Sequence, residues 1–259
     1  MWIAVGSTVL FFGLLAIVVV RSPGWPEIKQ QFFNGQEFKE SFPLILRKFV
    51  RNIFIFCVAE VFVLLFALVL AVLRSLPGPV FTPLRILSAA YTDLFRGLPT
   101  ILVILLLGFG APALNLQGIP VSPYFWAIVA LTLVYSAYVA EVYRAGIQSI
   151  HPSQVASARS LGLTRWQSMR YVILPQAVRR VIPPLLNDFI GLQKDSALVF
   201  LLGLVEGLGE ANIISQGDFN FTPLVALSLV YVAITIPQAR FVDRMIARDQ
   251  RRRQAGGDL

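Results

Sequence analysis

Long stretches with almost no charge constrain this chain more than any other feature of its sequence. A helix needs about 20 apolar residues to cross the roughly 30 Å hydrocarbon layer of a bilayer. A composition of 56% apolar and 14% charged residues, with a mean hydropathy of +0.72, is also too apolar for an ordinary soluble domain. We therefore predict an all-α integral membrane protein with six transmembrane helices. The apolar stretches are residues 2–20, 53–73, 97–111, 124–140, 219–239 and, in broken form, 181–204.

Lysine and arginine are distributed unevenly among the connecting segments, and cytoplasmic loops carry an excess of both. Residues 142–187 contain six arginines and no acid, whereas residues 112–123 and 205–222 contain neither Lys nor Arg. This pattern predicts a multi-pass protein whose basic loop, N-terminus and C-terminus are cytoplasmic. The first apolar stretch lacks a basic leader and a small-residue cleavage site, so we expect an uncleaved span. Residues 21–52 are the contrary evidence, because they carry six basic residues and would lie outside.

The basic loop carries its own helix start and stop signals. Ser153 is a suitable N-cap for one helix, and Gly162 supplies a left-handed residue just past its end. Thr164 and Gln167 form a capping box for a second helix, which is expected to kink or end at Pro175. From the spacing alone, this segment fits either a hairpin folded against its own bundle or a docking surface for a partner.

The order of several motifs resembles the permease subunits of bacterial ABC importers, in particular the binding-protein-dependent inner-membrane components for polar amino acids. The likeness covers about residues 50–245. An Arg-Gly-x-Pro entry is matched at 96–99, the loop motif of small residues, Gly and Leu-Pro at 153–175, and a Lys-Asp-Thr/Ser motif at 194–196. The stretch Ala-Tyr-Val-Ala-Glu-Val-Tyr-Arg-Ala-Gly at 137–146 is also similar to these permeases.

This resemblance implies a five-helix type I ABC importer permease core plus one N-terminal helix. It divides the chain into an N-terminal transmembrane helix with an extracytoplasmic amphipathic loop at 1–48, a permease core at 49–245 and a basic cytoplasmic tail at 246–259. Residues 144–180 would be the cytoplasmic coupling loop, by which such permeases contact their ATPase. The implied location is the bacterial plasma membrane.

The same resemblance implies a subunit of an ATP-driven importer of polar amino acids, of the glutamate, glutamine, arginine or histidine class. Such a chain forms half of the translocation path and is not an enzyme. The sequence contains no Gly-Lys-Ser/Thr phosphate-binding loop, so ATP and Mg would be bound by a partner and no cofactor by this chain. The implied partners are an ABC ATPase subunit dimer, a second permease that is identical or different, an extracytoplasmic amino-acid-binding protein and the lipid membrane.

The coupling loop departs from the family motif at one place. Family members usually open the motif with Glu-Ala-Ala, where this chain has Ala-Ser-Ala at 156–158, so an ion pair from that Glu cannot be carried over. Leu161, Leu163 and Trp166 would provide the apolar anchor of the interface. The residues expected at the ATPase contact are Ser153, Ala156, Ser157, Ala158, Arg159, Leu161, Gly162, Leu163, Arg165, Trp166 and Pro175.

Charged residues inside membrane spans are costly and are therefore candidates for function. Glu60 would face a substrate ammonium group or pair with a basic residue of a neighbouring subunit. Glu141 and Arg144, three residues apart, suit a local ion pair. Lys194 and Asp195 would either bridge each other or contact the amino acid. The substrate-path candidates are Glu60, Arg96, Glu141, Asn187, Lys194, Asp195 and Ser196.

Two segments carry local structural expectations. Residues 83–95 repeat apolar side chains at helical spacing, which predicts an amphipathic helix along the inner membrane surface. Residues 181–204 contain Pro183-Pro184, Asn187-Asp188, Gly191 and Lys194-Asp195-Ser196, which predict a discontinuous helix. The ends of such half-helices can meet a carboxylate or an ammonium group near the midplane.

Other classes of function fit the sequence less well. A membrane enzyme would need a metal-ligand spacing or a nucleophile elbow, and neither is present. His151, the single histidine, suits a solvent-facing or cap-adjacent role. A proton-coupled carrier working alone could use Glu60, but six spans without a repeat make a poor carrier and leave the coupling loop without a purpose. The net charge of +8 is concentrated at membrane borders, so no nucleic acid partner is expected.

Overall fold

The computed structural model describes residues 2–257 apart from residue 116, with side chains described for residues 5–115, 117–248, 250 and 251. Within these ranges the chain forms helices and no strand, which confirms the all-α prediction. Short 3₁₀ helices lie at Pro79–Phe81 and Ser196–Leu202, and π-helical turns lie at Leu106–Gly110 and Met169–Ile173. The α-helices are α1 (Trp2–Val20), α2 (Trp25–Phe32), α3 (Gly35–Ser75), α4 (Thr82–Gly97), α5 (Thr100–Leu105), α6 (Ala111–Ala113), α7 (Pro123–Gln148), α8 (Pro152–Ser160), α9 (Arg165–Ser168), α10 (Leu174–Asp195), α11 (Gly207–Gly217) and α12 (Thr222–Gly257).

The largest core cluster joins α3 and α7, with α5, α10 and the 3₁₀ segment packed around them. Small residues let these helices approach closely, as is common between membrane helices. At Gly146 of α7, a Cβ atom would lie 2.0 Å from a methyl group of Val181 on α10. The α7–α10 contact therefore requires glycine at this position.

The membrane-spanning capacity of the helices can be judged by length and composition. Among the described residues, the helical stretches Trp25–Ser75, Pro123–Gln148 and Thr222–Arg248 are long and apolar enough to cross a bilayer. The count rises to five if each of two bent helix pairs forms one span. The N-terminal helix is shorter over Val5–Val20, and its described side chains are exposed.

The segment around the third predicted span is bent rather than straight. The amphipathic helix expected at 83–95 is confirmed as α4, and the chain then turns by 103° into α5 at Leu98-Pro99. The span predicted at 97–111 begins at Thr100 and is divided by a π-helical turn, so its predicted start was wrong. Proline at position 99 sets this start, because it suits the residue before the first turn of a helix and disfavours helix in the residue ahead of it.

The break expected in the fifth span occurs at the last of its predicted positions, Lys194-Asp195-Ser196, and not at the earlier ones. Helix α10 is continuous through Pro183, Pro184 and Gly191, and the regular helix ends only at Asp195. The prolines remove backbone donors, but Ala177 and Val181 are buried and Val181 packs against Gly146 of α7, which holds α10 in place. After the 3₁₀ segment, α11 continues at an angle of 53°.

The segment at 21–52 is not the loop that the sequence suggested, because α3 begins at Gly35. Asn34 caps this helix by accepting hydrogen bonds from the backbone N–H groups of Gln36 and Glu37. Pro43 lies inside the helix, and the burial of Ile45 and Phe49 in the next turns helps to offset its cost. The Lys48 ammonium lies 3.8 Å from the Glu210 carboxylate of α11, and Arg51 donates to the Val205 carbonyl. These two basic residues, which contradict the predicted excess of Lys and Arg on the cytoplasmic side, therefore have partners in the segment 205–222.

Candidate coupling surface and translocation path

The first helix of the coupling loop begins earlier than expected, since its N-cap is His151 and not Ser153. The His151 Nδ1 atom accepts a hydrogen bond of 3.2 Å from the backbone N–H of Ser153. Pro152 favours this arrangement, because its fixed φ and missing N–H suit the first helical position. His151, which was expected to be solvent-facing or next to the cap, is exposed and is the cap itself.

Gly162 ends α8 in a Schellman motif, as its position predicted. Its φ is +81°, and its N–H donates to the Arg159 carbonyl at 2.9 Å. The N–H of Leu163 reaches back to the Ala158 carbonyl at 3.2 Å. A Cβ atom at Gly162 would meet nothing within 4 Å, so backbone conformation alone demands glycine here.

The second helix starts with the predicted capping box. The Thr164 N–H donates to the Gln167 side chain at 2.9 Å, and the Gln167 N–H donates to the Thr164 hydroxyl at 3.3 Å. The helix then widens into the π-helical turn Met169–Ile173, and Pro175 lies in the first turn of α10. The helix is therefore distorted in the turn before Pro175, at Met169–Ile173, and is regular from Leu174 onward.

The coupling loop has an inner face that packs on the bundle and an outer face that does not. Val155 packs against a small core cluster of Ile150, Ile173 and Ala177, and Ala158 is also buried. The outer face exposes two of the three predicted apolar anchors: Leu161 is 83% exposed and Trp166 is 69% exposed, while Leu163 is half-buried. The other exposed members of the predicted set are Ser153, Ala156, Ser157, Arg159, Gly162, Arg165 and Pro175. Tyr171, which the sequence did not single out, is also exposed.

Acidic side chains of two helices interact inside the bundle. Glu60 of α3 is half-buried and interacts electrostatically with Asp188 of α10 and with Tyr143 of α7. One carboxylate oxygen of Asp188 is buried without a hydrogen-bond partner among the described residues. Asp188 was not among the sequence-based path candidates.

A polar cavity of about 190 Å³ lies next to this acidic pair and is lined by Arg96, Tyr138, Glu141, Val142, Ala145 and Asp188. The Arg96 guanidinium lies 6.0 Å from the centroid of the Tyr138 ring, and within the described residues it forms no ion pair. Glu141 instead accepts hydrogen bonds from Arg144, as expected, and from Arg74 of α3 at 3.1 Å. Two basic residues therefore compensate Glu141.

The remaining candidates take different positions. Asn187 and Lys194 are exposed on the surface of the single chain. Asp195 accepts a 2.9 Å hydrogen bond from the Tyr135 hydroxyl, and within the described chain no ion pair joins it to Lys194. Ser196 is fully buried, and its hydroxyl donates to the Gln193 carbonyl where α10 ends.

Sequence reasoning missed a set of buried hydrogen bonds, made by Asn52 and Glu206, on the two sides of the break after α10. Glu206 is 0% exposed and caps α11 by accepting the N–H groups of Leu208 and Gly209 at 2.9 and 3.0 Å. Asn52 of α3 donates to the Ser196 carbonyl at 3.3 Å and accepts the Gly207 N–H at 2.9 Å. The residues at both sides of the bend are thereby tied to α3.

A helical bundle with this loop and this break defines an importer permease, and the comparisons agree. Residues 79–251 match the family described as "Binding-protein-dependent transport system inner membrane component", so the chain belongs to that family. It is the permease component of an amino-acid ABC importer and a multi-pass membrane protein.

Individual relatives support this assignment. The probable amino-acid permease protein YxeN of Bacillus subtilis is 34% identical over 76% of this chain and 87% of that protein. The glutamate/aspartate import permease protein GltK of Escherichia coli O157:H7 is 32% identical over 83% of this chain and 98% of that protein. A crystal structure of an amino acid ABC transporter with histidines has a TM-score of 0.75 at 29% identity, over 83% of this chain and 98% of that one.

Proposed function

We propose that this permease carries a zwitterionic polar amino acid past the cavity beside Asp188 and takes its driving force from a separate ATPase. The observation that carries the proposal is the charge balance of the cavity wall. Arg74 and Arg144 form ion pairs with Glu141, whereas Arg96 acts on Glu141 only at longer range and forms no ion pair among the described residues. Asp188 has a buried oxygen without a partner among those residues. An amino acid presents the complementary carboxylate and ammonium groups, and unpaired ions inside a membrane protein are otherwise costly.

The coupling loop supports the second half of the proposal. Its inner face is fixed by the packing of Val155 and Ala158, while Leu161 and Trp166 are exposed, as are the neighbouring Arg159 and Arg165. Exposed apolar side chains on a rigid loop suit the centre of a protein interface. An ABC ATPase dimer that binds ATP and Mg would dock here, and a second permease would supply the other half of the path.

The contacts of α3 and α11 support the orientation. Lys48 and Glu210 lie at the same end of the bundle, as do Arg51 and the Val205 carbonyl, which are 2.6 Å apart. The basic residues of 21–52 and the acidic loop at 205–222 therefore belong on one side. On our proposal that side is extracytoplasmic, it receives the binding protein, and the coupling loop and both termini are cytoplasmic.

The path is tested by uptake into proteoliposomes that contain this permease with its partner permease and ATPase. Glu60→Gln and Asp188→Asn should raise the substrate concentration for half-maximal uptake by about tenfold or more, because each removes a charge that faces the ammonium group. Glu141→Gln is the matched control and should lower thermal stability instead, because it leaves two arginines without their partner. If fully assembled Glu60→Gln and Asp188→Asn complexes transport normally, the acidic pair is not part of the path. If the ATPase does not co-purify with the unaltered permease, the proposed coupling fails as well.

A further inference from the structure

Phe219, in the loop between α11 and α12, has a backbone conformation that phenylalanine rarely adopts. Helix α11 ends in a Schellman-type bond of 3.1 Å from the Asn220 N–H to the Ser215 carbonyl, and Phe219 occupies its left-handed position with a φ of +47°. This position usually holds glycine, because a side chain there is strained. The Phe219 side chain is nevertheless 79% exposed, so nothing within the described chain offsets the strain by burial.

The backbone around Phe219 is fixed by contacts with the N-terminal segment. Asn220 donates to the Gln30 carbonyl at 3.0 Å, and the Phe221 N–H donates to the Gln31 carbonyl at 2.7 Å. The rings of Phe221 and Phe32 stack with centroids 5.1 Å apart. Phe219 is therefore held in an outward position before any partner binds, which reduces the entropy that binding would lose.

The surroundings of Phe219 are aromatic and of mixed charge, and its neighbour in the chain is the acidic Asp218. Phe33 and Phe221 are also exposed, at the same edge of the bundle. Asp218 precedes Phe219 and interacts electrostatically with Glu37, which in turn interacts with Glu40. This edge lies at the far end of α10 from the coupling loop, and a helix of 22 residues spans about 33 Å.

We propose that Phe219 is an anchor by which this permease docks its extracytoplasmic binding protein, in an apolar socket whose rim carries Lys or Arg. The inference rests on the proposed function and its orientation. The matched family is binding-protein-dependent, so such a partner must reach the end of the bundle opposite the ATPase. The Asp218 carboxylate beside Phe219 fits a basic rim. Lys29 and Lys39 lie in the neighbouring segment, so charge does not separate this partner from an anionic lipid surface, and the second measurement below does so.

The test measures binding of the purified, substrate-loaded binding protein of this transport system to the assembled transporter in nanodiscs. Phe219→Gly keeps the left-handed backbone and removes the ring, so it should raise the Kd at least tenfold while the complex assembles with a thermal stability equal to or above that of the unaltered transporter, because glycine relieves the strain. Asn115→Gly is the matched control, since Asn115 also has a positive φ, of +50°, in the preceding loop on that side. It should leave the Kd unchanged. An unchanged Kd in Phe219→Gly, or an equal rise in both variants, overturns the proposal.

A second measurement separates the lipid alternative. Phe219→Trp in nanodiscs of brominated phosphatidylcholine and phosphatidylglycerol should show no added fluorescence quenching in the absence of the binding protein, and should bind it with at most a threefold change in Kd. Quenching by the brominated lipid would show that the ring enters the membrane and would overturn the proposal. If the binding protein neither binds nor stimulates ATP hydrolysis by the unaltered transporter, the proposed function itself fails. A loss confined to Phe219→Gly cannot be confused with that outcome.

Discussion

Gly162 gives the sharpest test of the coupling loop, because its requirement for glycine comes from conformation and not from space. A left-handed residue other than glycine costs about 1–2 kcal/mol, and valine adds the restriction of its branched Cβ. The φ is +81° and no atom lies within 4 Å of the position that a Cβ would occupy, so the whole cost falls on the turn. In Gly162→Val, the ratio of the native turn to other conformations of the loop would therefore fall by about five- to thirtyfold. We expect Gly162→Val to reduce uptake and binding-protein-stimulated ATP hydrolysis by a similar factor while membrane insertion is retained.

Two matched variants make this result specific. Gly162→Asn should keep most of the activity, because asparagine tolerates the left-handed conformation. Gly78→Val introduces comparable strain, at φ +93° and again with nothing within 4 Å, in the turn between α3 and α4. It should leave coupling intact. Normal stimulated hydrolysis in Gly162→Val, or an equal loss in Gly78→Val, would refute the assignment of this loop.

Two further predictions concern packing and orientation. Gly146→Ala should destabilise the bundle by about 1–3 kcal/mol, because its Cβ would lie 2.0 Å from a Val181 methyl group. The double variant with Val181→Ala should recover part of this stability in thermal unfolding. A double variant no more stable than Gly146→Ala would contradict the packing argument. In a Cys57→Ala background, a cysteine at Gln36 should react with an impermeant thiol reagent added outside intact cells, whereas one at Gln154 should not. The reverse labelling would overturn the orientation.

Local signals in the sequence were sufficient to predict the capping box and the glycine turn of the coupling loop. The capping box at Thr164 and the glycine turn at Gly162 involve residues no more than a few positions apart, so their geometry follows from the residues themselves. The bent entry at 96–99 is also local, since proline restricts its neighbour. The error at Ser153 has the same origin: serine is the stronger general N-cap, but Pro152 already occupies the first helical position.

Contacts between distant residues could not be read in the same way. Asn52 reaches across 155 residues to bind Gly207, and no pattern near either residue announces that contact. Glu206 looked like a solvated acid of an outer loop, yet it is buried because α11 supplies backbone donors to both of its carboxylate oxygens. Likewise, Glu141 and Asp188 are both acids beside one cavity. The spacing of Glu141 and Arg144 predicts one ion pair, but the second, from Arg74 of α3, depends on how the helices pack.

The unbroken course of α10 changes how the loop and the path can be linked. A helix interrupted at Pro183-Pro184 would let the coupling loop move without moving the residues beyond it. The continuous helix instead carries Pro175 at one end, Asp188 in its body and Asp195, bound to Tyr135, at the other end. A displacement of the loop by a docked ATPase would therefore shift Asp188 relative to Arg96. It would also bend the chain further at Ser196, whose carbonyl is hydrogen-bonded to Asn52 of α3. On the proposed function, the position of the rigid helix α10 against α3 and α7 determines whether the path is open to the inside or to the outside. The bend after α10 is where the chain changes its angle when this helix moves.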